Sequence, residues 1–244
     1  MTIRAVLFDL GGTLLAEDGY DFEAAVGAAL ALPPLRSEAG RRGDWAADLA
    51  DWVHAIQRDG HAQHPDHDLC AWVRRRAGHF GMHAGTHALE TLKDDVLEDA
   101  LWDAGVRMSP IDGAQRALDA VAESRLRSAA LSNTVFSARR MQRALEDAGL
   151  HTRFEFLLSS AELGTAKPDP RAFREALERL GLEGPQVLYV GDSWTNDVRG
   201  AHGAGLRACW ISGAAPPDAT PCVRLPNVAA LGSFLGTLPE GGLS

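Results

Sequence analysis

Ile3-Arg4-Ala5-Val6-Leu7-Phe8-Asp9-Leu10-Gly11-Gly12-Thr13 is the stretch whose reading decides the fold. Its first six residues are apolar apart from Arg4, and the run stops at a Gly-Gly turn, so it reads as a buried strand. A strand without polar alternation is covered on both faces, as strands of parallel sheets are. Asp9 stands where that strand ends. Further strand-like runs follow at residues 127–131, 154–158, 187–190, 206–211 and 222–225, with helical patterns at 113–123, 137–148, 170–180 and 196–204. Within 170–180, Phe173, Ala176, Leu177 and Leu180 share one face at the i, i+3, i+4, i+7 spacing. This alternation specifies an α/β, doubly wound (Rossmann-like) parallel sheet, whose sites form beyond the carboxyl ends of the strands.

Residues 16–105 break the rhythm and read as helices only, at 21–32, 42–57, 68–79 and 86–104. Trp45, Leu49, Trp52, Val53 and Ile56 make one apolar stripe, and Leu89, Leu92, Val96, Leu97 and Leu101 another. Such stripes mark packing faces. The expected organisation is an α/β core of residues 1–15 and 106–244 with an inserted all-helical cap at 16–105.

The chain has 244 residues, 45% apolar and 23% charged, and a formal charge of −9 that argues against nucleic acid as a partner. No apolar run reaches the length of a membrane span, and Met1-Thr2-Ile3-Arg4 leads straight into the first strand rather than a signal peptide. Cys70, Cys209 and Cys222 are too few and scattered for a disulfide framework, so a reduced, cytoplasmic setting is expected. Of 24 basic residues only Lys93 and Lys167 are lysines. Where such a chain uses Lys, a compact point charge is wanted rather than a planar fork.

Four segments that follow strand-like runs carry the polar chemistry. Asp9 offers a carboxylate able to take a phosphoryl group, and Gly11, Gly12 and Thr13 offer turn N–H groups suited to an anion. Ser132 and Asn133 supply a hydroxyl and an amide that either hold phosphate oxygens or cap the next helix. Lys167 precedes Pro168-Asp169-Pro170, a rigid helix entry in which Asp169 reads as the cap. Asp192 and Asp197 follow the strand at 187–190 and, with Asp9, suit a hard divalent cation such as Mg²⁺.

In order and spacing these segments resemble the signatures of the haloacid dehalogenase superfamily, in particular its phosphatase-like branch with a helical cap after the first motif. The resemblance implies that Asp9 is the nucleophile, and that Ser132, Asn133 and Lys167 hold the phosphate of a small phosphorylated metabolite. It also implies a Mg²⁺ site made by Asp9, the carbonyl of Gly11 and Asp192, with Asp197 orienting the metal's waters. Phosphatases of this family carry a second Asp where Gly11 stands, which protonates the leaving alcohol. Gly11 does neither that nor the later activation of water, which implies a slow or selective enzyme. Three outcomes follow: substrates with good leaving groups such as acyl or aryl phosphates, a substitute cap or flap carboxylate with Glu17 and Asp18 nearest in sequence, or binding without turnover.

Three alternatives stay open at this stage. A haloacid dehalogenase needs neither the second Asp nor a metal. A phosphonate hydrolase uses a cap lysine, here Lys93. A non-catalytic module would bind phosphate and Mg²⁺ without turnover. His61, His64 and His67 with Asp66 and Asp68 read as a solvated loop, since Pro65 breaks any helix that would align them. Trp194 reads either as a lining of the pocket mouth or as a packed side chain.

Overall fold

The computed structural model describes residues 2–59, 68–79 and 91–238. Strand β1 (Ala5–Phe8) is the centre of a six-stranded sheet with β4 (Arg127–Ser132), β5 (Leu157–Ser159), β6 (Val187–Gly191), β7 (Arg207–Ile211) and β8 (Val223–Leu225). The order is β5-β4-β1-β6-β7-β8, and every pairing is parallel. The chain winds outward on one side of β1, returns, and winds outward on the other. In register, Phe8 lies between Ala130 and Val190, so Asp9, Ser132 and Gly191 emerge at the same edge. That edge, beside the reversal of strand order, is where such a fold opens a crevice.

All four residues of β1 are fully buried, and its side chains alternate between two cores. Val6 and Phe8 pack with α5 (Ala114–Glu123) and α6 (Ala138–Asp147). Ala5 and Leu7 pack with α8 (Pro170–Leu180), which carries Ala172, Phe173, Ala176 and Leu180 inward. The start of α8 is set by Asp169, whose side chain accepts from the Arg171 N–H, and its end by Gly181 in the left-handed region. Between α6 and α8 lies the single turn α7 (Ser160–Leu163).

Helices α1 (Phe22–Ala31), α2 (Arg42–Asp59), α3 (Leu69–His79) and α4 (Asp94–Gly105) follow the first motif. The expectation of helices alone from residue 16 is corrected at both ends of this segment. Residues Leu15–Tyr20 form strand β2 and Val106–Pro110 form β3, paired antiparallel as a two-stranded ribbon. The polar string Ala16-Glu17-Asp18-Gly19 has little strand propensity, and pairing to β3 overrides it. The helix expected at 86–104 is described from Asp94, with residues 86–90 outside the described residues. The helix expected at 196–204 is instead a wide turn at Trp194–Arg199 followed by α9 (Gly200–Gly203). Helix α10 (Leu231–Leu235) packs on α5. Among the described residues, no helix is long and apolar enough to cross a membrane.

The helical segment is fastened to the sheet through α4. Glu98, buried, accepts from both the backbone N–H and the hydroxyl of Ser137, each at 2.5 Å, and from Arg139 at 3.2 Å. Trp102 meets Phe136 edge-on at 4.7 Å, and the Arg140 guanidinium lies 4.8 Å from its ring centre. We expect Glu98→Ala to lose about 2 kcal/mol, since it strands donors in a half-buried site. A urea titration checks this: the midpoint falls while the slope stays that of the parent.

Candidate active site

Lys167 organises the crevice. Its ammonium lies 2.7 Å from Asp9 Oδ1, 2.7 Å from Asp197 Oδ1 and 2.7 Å from the Tyr189 hydroxyl. An ammonium has three N–H groups, and each has a partner here. Tyr189 in turn donates to the Leu131 carbonyl at 3.1 Å, so its hydroxyl is oriented as an acceptor for the lysine. Lys167, Asp9 and Asp197 are all buried. A phosphate oxygen approaching this ammonium must therefore share an N–H with a carboxylate already in place.

Asn133 is placed differently from the expectation that it holds phosphate. Its Oδ1 accepts from the Lys167 N–H at 2.9 Å and its Nδ2 donates to the Lys167 carbonyl at 2.8 Å. The amide thus mimics a strand neighbour and fixes the lysine backbone to the tip of β4. Ser132, the last residue of β4, is buried at the same tip.

Glycines let two more carboxylates close in. Gly12 has φ +77°, and a Cβ there would collide with the Asp192 carboxylate. A Cβ on Gly191 would collide with Asp197. Asp197 sits in the wide turn after β6, where the Ser193 N–H donates to its Oδ2 at 2.8 Å. Both Asp197 oxygens are thus engaged, which fits it to hold its neighbours in place. Asp9, Asp192 and Asp197 each bring an oxygen within 4.8 Å of the others.

Three carboxylates against one ammonium leave excess negative charge. Burial raises the Asp9 carboxyl to about 7, Lys167 opposes the rise, and Asp197 and Asp192 add to it. Burial and Asp197 also raise Asp192. Burial works against the charge on Lys167, but Asp197 and Asp9 outweigh it and lift the lysine above its ordinary value. Thr13 Oγ1 is buried beside Asp192 and makes no well-formed hydrogen bond. The donor set is oxygen-only, anionic and compact, and carries one orphaned hydroxyl. Those are the properties a hard divalent cation with a bound oxyanion satisfies.

A cavity of about 90 Å³ adjoins this cluster, with Gly11, Ser132 and Asn133 among its lining residues. Most of its wall is apolar, from Val53 and Ile56 of α2, Leu69 of α3, Leu101 of α4, Met108 of β3 and Phe136. Its charged lining residues are Glu17 and Asp21.

Trp194 is packed, meeting Trp210 edge-on at 4.8 Å and donating to Asp218 at 3.2 Å. Lys93 is exposed at the N-terminus of α4 and is not among the cavity's lining residues. The histidine cluster falls at residues 61–67, outside the described residues, and Asp68 accepts from the Ala71 N–H. Tyr189 escaped the sequence reading. Its signal was a phenol in the otherwise aliphatic run Val187-Leu188-Tyr189-Val190, since a buried hydroxyl calls for a partner.

A strand-tip aspartate, a buried lysine and two further aspartates thus gather at one edge of a doubly wound sheet. The family model of haloacid dehalogenase-like hydrolases matches residues 3–205, and the chain belongs to that family. It is 32% identical over 172 residues to the mouse (Mus musculus) haloacid dehalogenase-like hydrolase domain-containing protein 3, covering 70% of this chain. The match spans 65% of that relative, just under two thirds of its length. It is 42% identical over 109 residues to a phosphoserine phosphatase of Thermus thermophilus, covering 43% of this chain and 44% of that protein. Among solved structures it resembles a 2-haloacid dehalogenase from Pseudomonas syringae, with TM-score 0.64 and 25% identity over 96% of this chain and 98% of that one.

We expect Lys167→Met to cost about 3–5 kcal/mol, because it leaves Asp9 and Asp197 buried without a counter-ion. Tyr189→Phe, which removes one neutral hydrogen-bond partner, costs about 1 kcal/mol. Urea unfolding of the two variants distinguishes these. Equal losses would mean that the lysine serves only as packing.

Proposed function

We propose that this chain is a Mg²⁺-dependent phosphohydrolase that works through an aspartyl-phosphate on Asp9. The observation that carries the reading is the carboxylate of Asp9 held at a strand tip by Lys167, with Asp192 and Asp197 gathered beside it. An ester dianion entering that cluster meets net repulsion unless a cation accompanies it. Asp9, the Gly11 carbonyl and Asp192 would hold Mg²⁺, with Asp197 orienting around it. The ion supplies the positive charge that brings a phosphate and a carboxylate together. Lys167 and Asp197 keep Asp9 in position for attack. The Gly12 and Thr13 turn, Ser132 and a shared N–H of Lys167 receive the phosphate oxygens. Residues 16–105 act as the cap over a core of 1–15 and 106–244, with the β2–β3 ribbon straddling both boundaries. The free thiols of Cys70, Cys209 and Cys222 suit a reducing cytoplasm.

Substrate choice follows from the cavity. Its described lining holds no Lys, Arg or His, so a second anionic group on the substrate finds no partner there. The favoured substrate class is the phosphate monoester of a small, largely apolar alcohol that carries no second anionic group. Phosphoserine, which carries a carboxylate, fits this lining poorly, so the relative's substrate does not transfer. A dehalogenase accepts an anionic substrate without a metal, and the Asp9–Asp192–Asp197 cluster disfavours that. Lys93 is not among the cavity's lining residues, which leaves the phosphonate-hydrolase alternative without its lysine.

With Mg²⁺ present, we expect benzyl and p-nitrophenyl phosphates to show higher kcat/KM than phosphoserine, and Asp9→Asn to abolish all turnover. Hydrolysis that survives in the Asp9→Asn protein removes the nucleophile. Wild-type protein inert toward every ester, yet stabilised by Mg²⁺ and phosphate, favours the non-catalytic module.

We also expect Mg²⁺ at about 100 times its Kd to add about 2.7 kcal/mol of stability. Thermal unfolding reads this gain, and Asp192→Asn should lose most of it. A chelator should stop the reaction and return the unfolding temperature to that of the metal-free protein.

A further inference from the structure

Expelling an alcohol from a phosphate ester leaves an alkoxide that needs a proton, and residues 10–13, Leu-Gly-Gly-Thr, bring no acid to provide it. Asp9, Asp197 and Lys167 are engaged with one another. The chain immediately downstream supplies a different group. Gly11 bridges to Leu15, and the Gly12 N–H donates to the Leu15 carbonyl at 2.8 Å, so the loop doubles back and β2 passes over its own start. As a result Glu17 Oε1 lies 3.5 Å from where a Cβ on residue 11 would stand. A carboxylate from six residues on occupies the space in front of Gly11.

A β-bulge aims it there. Glu17 pairs with Met108 and Tyr20 with Val106, while the register slips between Glu17 and Gly19. Met108 and Val106 are two apart on β3 and share a face. Glu17 and Tyr20 are three apart on β2 and would face oppositely in a regular strand. The extra residue corrects the phase, so that both line the cavity with Gly11, and the Tyr20 phenol, pushed up by burial and then by the Glu17 carboxylate, is its neighbour there. Gly19, at φ +143°, accommodates the distortion. Asp18 is exposed in the bulge and is not a lining residue. The geometry thus separates two acids that the sequence left equivalent.

We propose that Glu17 is the proton donor and acceptor at the leaving-group oxygen, with Tyr20 as its positioning residue. The assignment rests on the phosphohydrolase reading of Asp9. In the first step an Asp9 oxygen bonds to phosphorus, and the bond from phosphorus to the alcohol oxygen breaks with its electron pair. The Glu17 carboxyl proton passes to that oxygen, releasing a neutral alcohol and a Glu17 carboxylate. In the second step water attacks the aspartyl-phosphate as Glu17 takes its proton. The bond from phosphorus to Asp9 breaks, restoring the carboxylate and releasing inorganic phosphate.

The test is kcat/KM of the full chain with Mg²⁺ across alkyl and aryl phosphates, for wild type, Glu17→Gln, Tyr20→Phe and Gly11→Asp/Glu17→Gln. Glu17→Gln is expected to lose ~10²–10³ on n-butyl phosphate and less than about tenfold on p-nitrophenyl phosphate, whose leaving group needs little protonation. Tyr20→Phe should show the same selective pattern at a smaller size. A Cβ on residue 11 meets only an ordinary contact, so the double variant is expected to recover alkyl phosphate turnover. Glu17 is exposed, and the thermal melt of Glu17→Gln should match wild type. Equal loss on both ester classes, or no loss on the alkyl ester, overturns the Glu17 assignment while Asp9 stands. An active Asp9→Asn protein, or a wild type inert toward both classes, overturns the parent reading and this one with it.

Discussion

One buried ammonium holds the site together. Lys167 has all three N–H groups committed, to Asp9, Asp197 and Tyr189, and with the lysine itself these groups come from three separate stretches of chain. Taking such charges out of water is costly unless they are paired and their remaining hydrogen-bonding capacity is met. The lysine therefore acts as a geometric requirement: the tips of β1 and β6 must meet the loop before α8 for any of these charges to be tolerated. Its partners radiate from a point, which suits an ammonium and not a planar guanidinium. In a chain whose 24 basic residues include only two lysines, that preference is visible in composition. The Asn133 clamp on the Lys167 backbone completes the arrangement from the β4 side.

Around that centre, two absences of side chain do as much as the residues present. Gly12 and Gly191 let the Asp192 and Asp197 carboxylates approach where any Cβ would block them. The protein thereby concentrates negative charge well beyond what one lysine offsets, and Asp197 and Asp192 add to the rise that burial already imposes on the Asp9 carboxyl. The same doubled-back loop sends β2 across the site to meet β3. The helical segment thus leaves and rejoins the sheet through one ribbon, close to the chemistry.

The sheet and the four polar tips were legible because their signals are local. Aliphatic runs end at Gly or Ser turns, and Asp169-Pro170 opens a helix whose apolar spacing is regular. The ribbon was illegible because Leu15–Tyr20 is polar and glycine-bearing, and only its pairing with residues ninety positions away makes it a strand. Asn133 was read as a ligand because an amide at a strand tip suits either a phosphate or a backbone, and only coordinates distinguish the two. Glu17 and Asp18 were indistinguishable for a similar reason. Which neighbour faces a cavity depends on a single-residue slip in register, and no local pattern in the sequence encodes that slip.

The cavity beside the cluster draws its walls from α1 to α4, the β2–β3 ribbon and the stretch after β4, whereas Lys167, Asp192 and Asp197 come from other loops at the tips of the sheet. The charged cluster and most of the cavity wall are thus encoded by different stretches of the chain. Under the proposed function, substitutions at Val53, Ile56 or Leu69 retune which alcohol fits while the contacts of Lys167 stay intact. Such a division leaves the shape of the cavity free to vary without disturbing the buried charges.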